Sequence, residues 1–210
     1  MPIKRSYGEH GDACRAANAL DLVGDRWTLI LVRELILGPK RFADLQESVR
    51  GITPAVLADR LRFLREAGIV EQVVLADLAR THAYAATEWG RGLEPVLAAL
   101  GQWFSAGPDP STSGGMTPDG IVVAMRTMGA ADSNVALRLY DERRSDPPVH
   151  TYDAGTPAAA TVTSDSTVWS EILFGGLALG DAERDHGVVV EGDRAAVVRL
   201  VRGYASAGDE

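Results

Sequence analysis

The sequence predicts an α+β protein in two units, the first mainly helical and the second a mixture of short strands and helices. Residues 107–115 read Gly-Pro-Asp-Pro-Ser-Thr-Ser-Gly-Gly without apolar periodicity, which is typical of a linker. Residues 1–104 carry 13 basic and 13 acidic side chains, whereas residues 105–210 carry 8 and 16, which accounts for the whole formal charge of −8. We therefore predict domains over 1–106 and 116–210, joined by a linker over 107–115.

The first unit opens with four predicted helices. Apolar residues recur at helical spacing over 13–23, and the apolar run over 27–37 is longer than a buried strand usually is, so it favours a buried helix with Asp25 as its N-cap. A shorter helix is predicted over 41–49. After a tight turn, Thr53-Pro54 predicts a further helix, because a hydroxyl N-cap precedes proline at the first helical position.

A short helix, a turn containing glycine and a longer capped helix form the helix-turn-helix pattern. Strands predicted over 69–75 and 82–86 then form a hairpin, or wing. Thr87 is predicted to cap one apolar helix over 88–104. Together these elements predict a winged helix-turn-helix. The last helix is too apolar for so small a domain, so we predict a homodimer, whose two-fold symmetry would match a pseudo-palindromic operator.

The helix that begins at Pro54 is predicted to enter the major groove of double-stranded DNA. Arg60 is a candidate to bind guanine, and Asp59 either accepts from cytosine or only positions Arg60. Lys40 and Arg41 suit phosphates, or else form a solubilising surface pair. An ordinary solvated helix face is the alternative for the whole set. The candidate DNA contacts are Lys40, Arg41, Thr53, Pro54, Ala55, Val56, Asp59, Arg60 and Arg80.

Several stretches of the first unit resemble HxlR-type transcriptional regulators of bacteria. They are Cys14 with Leu-Asp-Leu-Val-Gly-Asp-Arg-Trp-Thr-Leu over 20–29, Gly-Pro-Lys-Arg-Phe-Ala-Asp-Leu over 38–45, and Gly-Ile-Thr-Pro over 51–54. The resemblance covers about residues 10–104 and implies a dimeric DNA-binding regulator with the helix from Pro54 in the major groove. This chain departs from the family pattern in its wing, which lacks the usual prolines and has Arg80 as its one cation.

The second unit is predicted to contain strands over 121–128, 134–140, 149–152, 159–163 and 188–191, with helices over 168–174, 181–185 and the end of the chain. Its tail resembles sterol-carrier-protein-like domains over about 118–204, which implies a sheet and helices around an apolar space that holds a lipophilic molecule in some members. A plain hydrophobic core is an equal alternative for the candidate lining residues Met125, Leu137, Leu139, Trp169, Leu173, Phe174 and Leu177.

Cys14 is the single cysteine, so an internal disulfide and a multi-cysteine zinc site are both excluded. The resemblance implies a redox sensor at this position, and a small buried residue at a helix start is the alternative. The sequence has no P-loop, no Gly-x-Ser-x-Gly and no His-Glu-x-x-His, so we predict no enzyme activity, no cofactor and no metal. No apolar run approaches the roughly 20 residues of a membrane span, which predicts a cytoplasmic protein without membrane contact.

These patterns predict a homodimeric, sequence-specific transcriptional regulator. Its activity would be modulated by a small lipophilic effector in the second unit or by oxidation of Cys14. The alternative is a lipophile-binding carrier or sensor in which the first unit serves mainly for dimerisation.

Overall fold

The structure is a computed structural model that describes residues 6–11, 13–108, 114–128, 134–144, 147–153 and 157–205. The chain divides into two compact units, Met1–Leu97 and Ala98–Glu210. Most of the predicted linker lies outside the described residues, so the domain limits at 106 and 116 stay predictions. None of the described helices has the length and apolar character needed to cross a membrane.

The first unit contains the predicted helix-turn-helix and its hairpin. The helices pack through leucines of α2, α3 and α4 that are shielded from solvent: Leu31, Leu35, Leu45, Leu57, Leu61 and Leu64. The elements are α1 (Arg15–Val23), α2 (Thr28–Ile36), α3 (Phe42–Ser48), α4 (Pro54–Glu66), β1 (Val70–Val74), β2 (His82–Ala86) and α5 (Glu88–Arg91). Helix α6 (Glu94–Ser105) begins in the first unit and continues into the second.

The start of α4 is built as the sequence predicts. The Thr53 hydroxyl accepts a hydrogen bond from the Val56 N–H at 3.3 Å, and Pro54 occupies the first helical position. In the turn before it, Gly51 has a φ of 82°, which L side chains rarely adopt. The Gln46 carboxamide donates to the Ile52 carbonyl and closes the turn between α3 and α4. These contacts fix the conformation of the turn that joins α3 to α4.

The prediction of one helix over 88–104 is wrong, because α5 ends at Arg91 and α6 begins at Glu94. The Gly92 N–H bonds back to the Glu88 and Trp89 carbonyls and closes the last turn of α5. Pro95 has no N–H that could donate to the Arg91 carbonyl, so the helical hydrogen bonds are interrupted here. A new helix, α6, then begins with Pro95 in its first turn.

The second unit is a mixed fold around a four-stranded sheet in the order β4-β3-β5-β6. Strands β3 and β5 are parallel, whereas β4 and β6 are antiparallel to their neighbours. The Asp165 carboxylate caps α8 by accepting from the Thr167 and Val168 N–H groups. The elements are α7 (Pro118–Met128), β3 (Val135–Tyr140), β4 (His150–Tyr152), β5 (Ala160–Asp165), α8 (Ser166–Phe174), α9 (Leu179–Asp185), β6 (Val189–Gly192) and α10 (Arg194–Ala205).

The strand predicted over 121–128 is wrong, because these residues belong to helix α7. The Thr117 hydroxyl accepts from the Gly120 N–H at 3.0 Å, and Pro118 takes the first helical position. Ile121, Val122 and Val123 are consecutive β-branched residues, which favours a strand in the sequence, but all three are buried within this helix. The resemblance of this unit to sterol-carrier-like domains stays a prediction.

Candidate nucleic-acid interface

Helix α4 has one buried side and one exposed side. Leu57, Leu61 and Leu64 are buried in the core of the first unit. Ala55, Ala58, Asp59 and Arg62 lie on the opposite side and are exposed, and the Arg62 side chain keeps 66% of its surface in solvent. We call Ala55, Ala58, Asp59 and Arg62 the outer stripe of α4. It has the spacing with which a helix presents side chains to a groove of DNA.

Asp59 pairs with Arg62 rather than with Arg60, which corrects the idea that Asp59 positions Arg60. The Arg62 Nη2 lies 2.6 Å from the Asp59 Oδ1, one helical turn away. Arg60 keeps only 32% of its side chain exposed; its Nη1 is 3.8 Å from the Asp25 Oδ2, and its guanidinium lies 5.9 Å from the Phe63 ring centroid. Arg60 therefore couples α4 to the turn before α2.

Arg62 and Ala58 are candidate contacts that the sequence interpretation missed. Their signal was present, because both lie opposite the three leucines at helical spacing. The remaining predicted residues of α4 fall at its start, where Thr53, Pro54 and Ala55 are exposed and Val56 is partly buried. The structure thus places most of the predicted contacts of α4 on its accessible surface.

Lys40 is neither a free phosphate contact nor a solubilising surface residue. Its Nζ lies 2.6 Å from the Glu34 Oε2, and the two side chains are 11% and 0% exposed. Arg33 donates to the other Glu34 oxygen at 2.8 Å. The Lys40 backbone also exchanges hydrogen bonds with Tyr84 of the hairpin. A carboxylate without solvent contact requires a cation beside it, so the charge of Lys40 is used inside the fold.

Arg41 and the wing form one connected surface. The Arg41 Nη2 lies 2.6 Å from the Asp77 Oδ2, and half of the Arg41 side chain remains exposed. The Thr81 N–H and hydroxyl, followed by Arg41, hold the pKa of the Asp77 carboxyl below its ordinary value. Arg80 is exposed and has a φ of 47°. The wing is therefore fixed to the start of α3 by an ion pair.

Cys14 is exposed at the N-cap of α1, so its interpretation as a small buried residue is wrong. The backbone N–H groups of Ala17 and then Ala16 lower the pKa of the Cys14 thiol. The open start of a helix favours an anion there, which increases the thiolate fraction at neutral pH.

The predicted lining residues of the second unit divide into two groups. Phe174 is exposed and Leu177 is partly buried. The indole Nε1 of Trp169 is buried and has no hydrogen-bond partner among the described residues. The members of the buried group are Met125, Leu137, Leu139, Trp169 and Leu173.

Comparison with known proteins places these features in a family. The HxlR-like helix-turn-helix family profile matches residues 22–111. The HTH-type transcriptional regulator YodB of Bacillus subtilis is 35% identical over 86 residues, which cover 41% of this chain and 77% of YodB. This chain belongs to the HxlR-like family. The family match includes α2 to α6 and ends before α7, so α7 to α10 and the four-stranded sheet lie outside it.

Other relatives match over the same region. An uncharacterized HTH-type transcriptional regulator of Mycobacterium tuberculosis is 41% identical over 85 residues, which are 40% of this HxlR-like chain and 53% of that protein. The chain thus spans about half the length of this relative. Among solved structures, reduced YodB from B. subtilis has a TM-score of 0.43 at 31% identity and covers 48% of this chain and 100% of that one.

Proposed function

We propose that the protein is a homodimeric, sequence-specific DNA-binding transcriptional regulator. The observation that carries this proposal is the outer stripe of α4, which is exposed on a helix with a Thr53-Pro54 start inside a helix-turn-helix. Its family relatives are named as HTH-type transcriptional regulators. The first unit also has balanced charge, so the acidity of residues 105–210 does not fall on the DNA-binding part of the chain.

The chemistry of the outer stripe suits the edges of base pairs. Ala55 is small and exposed, and a methyl side chain suits apolar contact with the methyl group of thymine. Arg62 has a guanidinium fork that matches the O6 and N7 acceptors of guanine. Asp59 holds that fork through their 2.6 Å ion pair. Arg41, at the start of α3, and Arg80, in the wing, are exposed cations that suit phosphates.

A gel-shift assay with the DNA upstream of the protein's own gene tests this function against the carrier alternative. We expect a retarded band that unlabelled upstream DNA abolishes and that unrelated DNA of equal length does not. A carrier that uses its first unit only for dimerisation would give no band with either DNA at micromolar protein.

Dimerisation is proposed from two helices, α1 and α6. None of the residues of α1 or α6 is fully buried within the chain. The exposed apolar residues of α6 recur at helical spacing and form one stripe. A helix with this composition is stable in water only when another surface covers it, and a second copy is the proposed cover. The stripe consists of Val96, Leu100, Trp103 and Phe104.

Leu100→Asp is expected to convert the dimer to a monomer, because it places a charge in the centre of the apolar stripe of α6. Sedimentation velocity over a concentration series measures the change. Val189→Asp is the matched control, since Val189 is also an exposed apolar residue but lies on β6 of the second unit. A Leu100→Asp protein that remains dimeric would exclude this stripe as the interface.

Oxidation of Cys14 is proposed as one mode of control. The thiol is exposed, and the N–H groups of Ala17 and Ala16 lower its pKa, which are the two conditions for a reactive cysteine. Cys14 lies at the start of α1, so a bulky adduct there would act on a helix that we assign to the dimer surface. Such an adduct would alter DNA binding through the arrangement of the two copies.

The lowered pKa predicts a specific pH dependence for alkylation of Cys14. A group with a depressed pKa keeps its thiolate at lower pH, so the midpoint of the iodoacetamide rate profile should lie below that of a cysteine in an unstructured peptide. Ala17→Pro removes the N–H that contributes most, in the first helical turn where proline is tolerated, and should move the midpoint upward. A wild-type midpoint at or above that of free cysteine would contradict the effect.

A small apolar effector, if one exists, is proposed to bind in the second unit. Trp169 is wholly buried, and its Nε1 has no hydrogen-bond partner in the part of the chain that the structure describes. A ligand carbonyl or hydroxyl would supply an acceptor for this group. Fatty acids, sterols and aromatic polyketides are the probes. We expect at least one to raise the melting temperature of the full chain, and Trp169→Phe to reduce that rise. No rise with any of the three classes would remove the effector proposal.

A further inference from the structure

The wing tip, residues 75–81, presents one large apolar side chain to solvent. Leu78 is fully exposed, and its neighbours Ala76 and Ala79 are exposed as well. An isolated exposed leucine is ordinary on a protein surface, but this one stands at the end of a hairpin on an element that the proposed function places beside DNA. The tip therefore presents Leu78 to solvent beside two small apolar side chains.

The turn that carries Leu78 is closed by several contacts. The Asp77 carboxylate accepts from the Thr81 N–H at 2.9 Å, and the Asp77 carbonyl accepts from the Arg80 N–H at 3.0 Å. The Leu75 N–H bonds to the Thr81 carbonyl at 2.9 Å. The ion pair between Arg41 and Asp77 then joins the tip to α3. Leu78 is thus presented by an anchored turn.

The charge of the wing gives it little attraction for phosphates. From Val70 to Ala86 the hairpin contains two carboxylates, Glu71 and Asp77, and one fixed cation, Arg80. Asp77 is already paired with Arg41. If the wing contributes to DNA binding, its contribution must therefore come mainly from the shape and apolar character of its tip.

We propose that Leu78 inserts into the minor groove as an apolar wedge and bends the operator, an inference that rests on the proposed function. Minor-groove proteins insert leucine between base steps and accept the cost of unstacking because the bent DNA contacts more protein surface. The small side chains of Ala76 and Ala79 suit a groove about 6 Å wide, and Arg80 supplies one cation for its walls. Leu78 would then determine specificity by favouring easily kinked steps.

Three variants of the full chain test this wedge: Leu78→Ala, Leu78→Met and Leu78→Lys. Folding should be unaffected, because the side chain contacts solvent rather than the core. Binding is measured on an operator selected with the wild-type protein. Bending is measured by energy transfer between dyes at its two ends, and unstacking by 2-aminopurine fluorescence at the centre of each wing contact. Val74→Ala is the control, since Val74 is an exposed apolar residue of the same hairpin away from the tip.

We expect wild type to bend the operator by at least about 20° and to increase 2-aminopurine fluorescence. Leu78→Ala should lose both signals and bind about tenfold more weakly. Leu78→Met should keep the bend because it keeps an apolar wedge, and Leu78→Lys should lose the bend even where an added phosphate contact restores affinity. Straight wild-type complexes, or bending by the Ala and Lys variants as large as that of wild type, would overturn the wedge. Absence of any sequence-selective binding by wild type would instead remove the proposed function and this inference with it.

Discussion

Reversing the charge of Arg62 is expected to weaken sequence-specific DNA binding by at least about 100-fold, while the protein stays dimeric and folded. Loss of one good base contact costs roughly 1–3 kcal/mol, and a glutamate adds repulsion from the phosphates. The variant would also place two acidic side chains one turn apart on α4, because Asp59 is the present partner of Arg62. Fluorescence anisotropy with a selected operator measures the change.

Two further charge reversals make this prediction specific. Arg199→Glu changes an exposed arginine of the second unit that also has an aspartate partner, Asp193, and it should bind DNA as wild type does. Arg60→Glu should weaken binding less than Arg62→Glu, and mainly by disturbing the contact of α4 with Asp25. If Arg62→Glu retained wild-type affinity, α4 would not be the reading helix.

Replacing Lys40 with methionine is expected to destabilise the protein by about 3 kcal/mol, because it leaves the charge of Glu34 buried without its closest cation. Glu34 has no solvent-exposed side-chain surface, and Arg33 contacts its other carboxylate oxygen. The loss is a large fraction of the stability of a typical domain. Urea denaturation followed by circular dichroism measures it.

The double variant Glu34→Leu with Lys40→Met separates burial of a charge from loss of a side chain. Removing both charges should restore most of the stability, since a buried ion pair and a matched apolar pair are often close in free energy. The double variant should also keep the wild-type salt dependence of DNA binding, because Lys40 neutralises Glu34 rather than a phosphate. A single variant as stable as wild type would show that Lys40 is not required beside Glu34.

The same local signal precedes two helices, but it was used to predict only one of them. Thr53-Pro54 predicts α4 correctly, and Thr117-Pro118 is the identical signal before α7. The consecutive β-branched residues Ile121, Val122 and Val123 favour a strand, although all three are buried in α7. Capping chemistry was the better guide there, because burial alone does not distinguish a core helix from a core strand.

The roles of the individual cations could not be read from the sequence. Lys40, Arg41 and Arg60 all fall where a DNA-binding protein needs positive charge, but each has an acidic partner that the fold brings close. The partner of Arg41 is 36 positions away in the wing, and no spacing rule connects them. By contrast, the exposure of Arg62 follows from helical periodicity alone, so α4 itself contained the information.

Selection of bound sequences from a random DNA pool by the full-length protein tests the central claim most directly. The account predicts an inverted repeat whose half-sites are separated by about 10 base pairs or a multiple of that length, and no enrichment when Arg62→Glu replaces wild type. Enrichment of the same repeat by both proteins would place the reading surface elsewhere, and no enrichment by wild type would contradict the assignment as a sequence-specific regulator.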